Sequence, residues 1–193
     1  MGLFGRLYAW TLKWAGHPRA PWALGGLSFA ESSVFPIPPD VLLAPMCLAQ
    51  PRRAMFYAHI TTAASVAGGL FGYLLGYFAI ALVKPWIVAA GYLPAYETAA
   101  EWFVQWGFWV ILVAGFSPVP YKVFTVAAGA TGIGLIPFVL GSVLGRGARF
   151  YAVAGLVAWG GPRLEPWLRL YIERIGWICV VILILGIVWW QNG

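Results

Sequence analysis

The apolar residues of this chain come in long, nearly unbroken runs rather than in the striped pattern of a half-wetted helix. Proline, glycine and a few charges punctuate the runs. Residues 3–16 mix Leu, Phe, Trp and Tyr with Arg6 and Lys13. That short, charged stretch predicts an amphipathic helix lying on a membrane surface within 1–19. His17-Pro18 and Pro21 end it. Two apolar arms, 22–34 and 41–49, then flank FPIPPD at 35–40, where Pro36, Pro38 and Pro39 cannot continue a helix. Each arm reaches only about 14–20 Å at 1.5 Å per residue, against about 30 Å of hydrocarbon. The pair reads as one broken helix or as a re-entrant hairpin over 22–49. The hairpin is preferred, because broken backbone at depth is tolerated when buried in protein or lining water.

Residues 54–83 contain no Asp, Glu, Lys or Arg and predict a full span, closed by Lys84-Pro85. A connector over 84–101 carries Glu97 and Glu101. A further arm, 102–116, runs into SPVP, where Pro118 and Pro120 break the helix. The arm 121–135 completes a second hairpin, 102–135. A span over 137–159 follows, then a Gly-Gly-Pro-Arg turn, and a last transmembrane helix over 167–190.

The two broken segments resemble each other at an offset of 82 positions: Pro36 matches Pro118, Pro38 matches Pro120, and Val41 matches Val123. Further on, SVAGGLFGY from Ser65 resembles SVLGRGARF from Ser142. Each half has the same order of parts: arm, P-x-P break, arm, span. If each broken segment returns to its own side, one crossing separates them and they enter from opposite faces. That is an inverted repeat, the plan of many secondary transporters. The expected fold is therefore all-α, a polytopic transmembrane helical bundle with two re-entrant hairpins in an inverted repeat, the membrane domain covering 20–160.

Composition narrows the class. Of 193 residues, 62% are hydrophobic and 9% are charged, where a soluble domain carries about 25% charge. A soluble enzyme and a disordered tail are both excluded. The basic balance, pI about 9.6, does not indicate nucleic acid, because the cations are scattered between apolar runs instead of clustered on a wet face. The N-terminus lacks the apolar stretch and small-residue cleavage site of a signal peptide. Cys47 and Cys179 lie in apolar surroundings without metal spacing and read as inert thiols. No metal or cofactor is expected.

Sorting the charges by depth gives orientation. Arg6, Lys13, Arg19, Arg52, Arg53, Arg163 and Arg169 fall on one side of the predicted topology, and Lys84 falls on the other. The positive-inside rule makes the first side cytoplasmic, so the N-terminus is inside. Five charges stand at depth: Glu31, Asp40, Lys122, Arg146 and Arg149. Each costs about 2.5–3.5 kcal/mol at a helix centre and must pair or face water. One reading is that the acids neutralise the cations and lock the bundle. The other is a site, in which Lys122, Arg146 and Arg149 hold a phosphate and Glu31 and Asp40 carry protons or gate. Arg suits bidentate phosphate binding. His59 reads as a helix–helix hydrogen bond, with a proton relay as the alternative. Ser117, Tyr121 and Thr125 can add hydrogen bonds near the second break. Ala64, Gly68, Gly72 and Gly76 form a small-residue stripe that suits internal packing and homo-oligomer formation equally. No nucleophile stands beside a base and no catalytic motif is present, so a non-enzymatic transporter of an anionic group such as a phosphate is expected. A small-cation transporter and a membrane scaffold are the alternatives.

ESSVFPIPPDVLLAP, GGLFGYLLGYF and FSPVPYKVFTVAAG resemble the DedA family of membrane proteins, in its YqaA-like branch, within the wider group that shares the VTT (SNARE-associated) domain. The similarity covers about residues 20–160. The resemblance implies two inverted re-entrant hairpins and a role in flipping polyprenyl phosphates or phospholipids, with consequences for the envelope and the proton-motive force. The family's essential hairpin acids match Glu31 and Asp40, the latter in PPD where the family has PGD. Two arginines typical of its second hairpin are replaced by Gly115 and Tyr121. Lys122 lies one step on, and Arg146 and Arg149 are left to supply the charge.

Overall fold

The computed structural model describes residues 17–33, 37–117 and 121–161. Helix α1 is Ala20–Ser33 and α2 is Asp40–Ala49, with a 3₁₀ turn Pro51–Arg53 leading into α3, Ala54–Ala89. Helix α4 is Leu93–Phe116, α5 is Tyr121–Thr131 and α6 runs over 135–161. No strand occurs among the described residues. The predicted surface helix within 1–19, the C-terminal helix 167–190, Cys179, and Pro36, Pro118 and Pro120 lie outside the described residues, entirely or, for the first, up to residue 16.

Proline and glycine set the element ends. Pro21 sits in the first turn of α1, where a missing N–H is harmless. At the first break, Pro38 and Pro39 open the second arm: the Pro39 carbonyl accepts from the Leu42 and Leu43 amides at 3.0 and 2.9 Å. Asp40 is the first residue of α2, where the helix dipole favours an acid. The expected stop at Lys84-Pro85 does not occur. Helix α3 passes through Pro85 to Ala89 and is 36 residues long, or about 54 Å. The stretch around Pro85 is exposed, so the carbonyl that loses its partner is not buried. The real stop is Gly91, at φ 75°. The Gly91 amide bonds the Val88 carbonyl and the Tyr92 amide bonds the Ile87 carbonyl, a Schellman ending that a Cβ would strain. The same ending closes α5 at Gly132, φ 72°, with Ile133 donating to Ala128. The connector 84–101 is therefore the end of α3, a tight turn and the first turns of α4, and the arm 121–135 stops at Thr131.

Helix α3 is the central post. Helix α1 lies along it in the same direction: the Ser28 hydroxyl donates to the Thr61 carbonyl at 2.7 Å, Ser32 meets Ser65 at 2.7 Å, and Ser33 reaches the Gly68 carbonyl. Helix α5 continues up the same post, with Tyr121 against Gly69, Thr125 against Gly72 and Val126 against Gly76. Helix α6 runs the other way, pairing Phe138 with Tyr73 and Tyr151 with His59. Helix α4 accompanies α6, with Phe108 at Gly141 and Leu112 at Gly145. The glycines permit these approaches. A Cβ on Gly68 would stand 2.3 Å from the Phe29 carbonyl oxygen, and one on Gly76 would stand 2.0 Å from that of Val126. Gly68, Gly72 and Gly76 are thus an internal packing surface and are not open to a second copy.

Two apolar clusters result. One holds Leu24, Leu43, Met46, Cys47, Tyr57 and Phe150. The other holds Tyr73, Ile111, Tyr121 and Phe138. Gly25 and Gly26, in mid α1, belong to neither, although a glycine inside a helix is about 1 kcal/mol worse than alanine.

Two helices are long and apolar enough to cross a membrane, Pro51–Ala89 and Tyr96–Phe116. Ser65 stands eleven residues above Ala54, about 16 Å up α3. That is close to half of the roughly 30 Å hydrocarbon thickness.

Candidate functional site

A polar layer separates the two apolar clusters at the level of Ser65. Its centre is Arg146, which is 2% exposed. Helix α6 carries Arg146 between α1 and α3. The guanidinium donates from Nε to the Ser65 hydroxyl at 2.6 Å and from Nη2 to the Ser32 hydroxyl at 3.2 Å. It also forms a charge-paired hydrogen bond with Glu31. The Tyr121 and Phe150 rings lie 5.0 and 4.7 Å from the guanidinium carbon and supply cation–π contacts. The Tyr121 hydroxyl donates to Ser142 at 2.5 Å, and Ser142 donates to the Phe138 carbonyl. Removing that hydroxyl in Tyr121→Phe should lower stability by about 1 kcal/mol, read as a lower thermal unfolding midpoint in detergent. An unchanged midpoint would show that Ser142 needs no such donor.

Arg149 lies one turn further along the same face of α6, but at the edge of the layer. It is 23% exposed. Its Nη2 binds Asp40 Oδ2 at 2.5 Å and its Nη1 donates to the Ser117 carbonyl at 3.0 Å. One guanidinium therefore ties the residue that opens α2, just past the first break, to the residue that ends the arm before the second. The other Asp40 oxygen, Oδ1, is buried and has no hydrogen-bond partner.

Of the five charges expected at depth, four assemble here as two ion pairs. Lys122 is half-buried in the first turn of α5, beside Tyr121, and its main-chain carbonyl accepts the Thr125 hydroxyl at 2.8 Å. His59 lies apart. Its Nδ1 bonds the Met55 carbonyl of its own helix, and its ring packs edge-on to Tyr151 at 5.1 Å. It makes a ring contact between helices, where a hydrogen bond between them was expected. Ser32 and Ser65 were not singled out from sequence as site residues. Their signal is spacing: Ser28 and Ser32, like Thr61 and Ser65, are small hydroxyls four apart on otherwise apolar helices, hence on one face.

A groove of about 340 Å³ runs along α4 to this edge. Trp102, Trp106, Trp109 and Val113 line it, Phe124 closes it from α5, and Ser117 lies at its end.

A family model for the VTT domain matches residues 37–158. The chain belongs to the VTT domain family. The DedA resemblance carried by its motifs is thereby shown. With the two long apolar helices, family membership makes this VTT domain protein a helical membrane protein. It is 44% identical over 186 residues to a protein of Haemophilus influenzae, covering 96% of this chain and 97% of that one. It is 45% identical over 185 residues to a protein of Histophilus somni, with the same coverage. Both carry names that state no activity. No solved structure matches the chain.

Proposed function

We propose that this VTT domain protein moves an anionic lipid, a polyprenyl phosphate or a phospholipid, across a bacterial inner membrane. In this reading α1–α2 and α4–α5 are re-entrant hairpins, and of the two helices long enough to cross, α3 is the one that does. The halves α1–α3 and α4–α6 form an inverted repeat, and the N-terminus is cytoplasmic. The parallel courses of α1 with α3 and of α4 with α6, and the opposed courses of α3 and α6, support it. The observation that carries the function is the grip of Arg149 on both breaks at the end of a bilayer-facing groove.

The proposed roles divide by exposure. Arg146 is enclosed, so it frames the site with Glu31 rather than binding cargo. Arg149 is reachable, and a lipid phosphate arriving along the Trp-lined groove competes with Asp40 and the Ser117 carbonyl for its donors. Lys122 adds a second positive charge beside the break. Proton uptake by Asp40 weakens its pairing with Arg149 and admits the phosphate, and proton loss expels it. The head group crosses without covalent chemistry, so no catalytic residue is assigned.

Proteoliposome flipping of a fluorescent anionic lipid tests this. Arg149→Gln should lower the rate about ten-fold or more, the scale of a lost charge-assisted contact of about 1.5–3 kcal/mol. Arg149→Lys should keep part of the rate. Asp40→Asn, held in the protonated-like form, should lose dependence on a pH gradient. Wild-type flipping in Arg149→Gln would overturn the assignment. Proton or sodium flux without lipid movement would point to the small-cation transporter instead.

A further inference from the structure

A second groove, of about 760 Å³, lies between α1 and α3. Its volume is that of sites that enclose small organic molecules, about 300–1,000 Å³. Gly25, Gly26 and Phe29 of α1 face Ile60 and Ala64 of α3 across it, and Arg53 stands at its mouth. From Arg53 to Ala64 is eleven residues of rise, about 16 Å, the depth of one leaflet. None of the partners described for Arg146 or Arg149 lines it.

The glycine pair is the informative feature. Gly68, Gly72 and Gly76 are required because a Cβ there would strike a neighbouring helix. Gly26 is not: a Cβ on it would meet nothing within 4 Å. On Gly25 a Cβ would make only ordinary contacts, 3.4 Å to Ile60 and 3.9 Å to Ala64. Two adjacent glycines weaken α1 without any close helix packing in return among the described residues. What they produce is an open, apolar floor of leaflet depth. Charge completes the fit, since Arg19, Arg52 and Arg53 are all exposed at that end. Basic residues at this level attract anionic head groups, and the exposed Trp22 ring suits the interface.

We propose that this groove seats one anionic phospholipid of the leaflet on the Arg53 side, with an acyl chain over Gly25-Gly26 and the phosphate on Arg53. The seat is separate from the polar layer and does not depend on any lipid crossing the membrane.

Native mass spectrometry of the full-length protein tests it, in neutral detergent with equal phosphatidylglycerol and phosphatidylcholine. One phosphatidylglycerol should be retained in preference. Gly26→Leu, whose side chain would fill the floor, should lower that retention about ten-fold. Ala63→Phe, filling the groove from α3, should do the same, which keeps the test open if one variant fails to fold. Arg53→Gln should keep an adduct but lose the preference between the two lipids. Equal retention of both lipids by the wild type, or full retention in a folded Gly26→Leu, would overturn the proposal. So would photo-crosslinks from benzoyl-phenylalanine at position 22 that reach protein, a second copy or residues 1–16, instead of lipid.

Discussion

Arg146→Met is expected to destabilise the protein by about 3–5 kcal/mol, the usual loss when one partner of a buried ion pair is removed. The substitution leaves the Glu31 carboxyl, only 17% exposed, without the guanidinium that pairs with it. Ser65 and Ser32 lose their donor as well. The partner variant tells stability from chemistry. If the penalty is the stranded charge, Glu31→Gln in the Arg146→Met background should restore much of the loss, because neutral groups bury cheaply once no charge remains. Thermal unfolding in detergent across the four-member cycle reads this directly. Single losses that simply add would show that Glu31 and Arg146 do not act as a pair. The contrast with Arg149 follows from exposure: Arg149→Gln is expected to fold and to fail in transport.

Gly129→Ala is the second large effect, and its sign opposes helix propensity. In an open helix the change is favourable by up to about 1 kcal/mol. Here the new methyl would stand 1.9 Å from the Tyr73 carbonyl oxygen and 2.8 Å from its carbon. The neighbours are backbone, so neither can rotate away. Helix α5 must separate from α3 at the spot where Gly76 faces the Val126 carbonyl from the other side. The loss should reach or pass the upper end of the roughly 1–3 kcal/mol range for overpacking. Gly26→Ala is the matched control, in an exposed position with empty space, and should leave the unfolding midpoint equal or higher. Midpoints moving in the same direction for both variants would refute this account of the helix contact.

Much of this arrangement was legible in the sequence. The proline breaks separate the arms where FPIPPD and SPVP stand, because proline acts locally. The small-residue stripe marks a close contact, because only glycine lets backbones approach so far. The ends of α3 and α5 were misplaced because Lys84-Pro85 resembles a stop while the effective signals are single glycines, Gly91 and Gly132, in runs already rich in glycine. The choice of partners was hidden for another reason. Glu31 and Arg146 are 115 positions apart, and Asp40 and Arg149 are 109 apart. Spacing along one helix says which residues share a face, and so placed Arg146 beside Arg149. It says nothing about which helix that face meets. The hydroxyls of Ser32 and Ser65 are marked only by their four-residue spacing from Ser28 and Thr61, which does not reveal an arginine 114 and 81 positions away as their partner.

Those long separations bear on how the chain is assembled. Both acids enter the membrane with the first arms, and both arginines arrive only with α6. Until then Glu31 and Asp40 lack the two arginines that pair with them, and 54–83 supplies no cation in their place. The early half therefore reaches its final ion pairing only once the late half is present. A chain terminated before 135 would carry both carboxylates without the arginines that close their ion pairs.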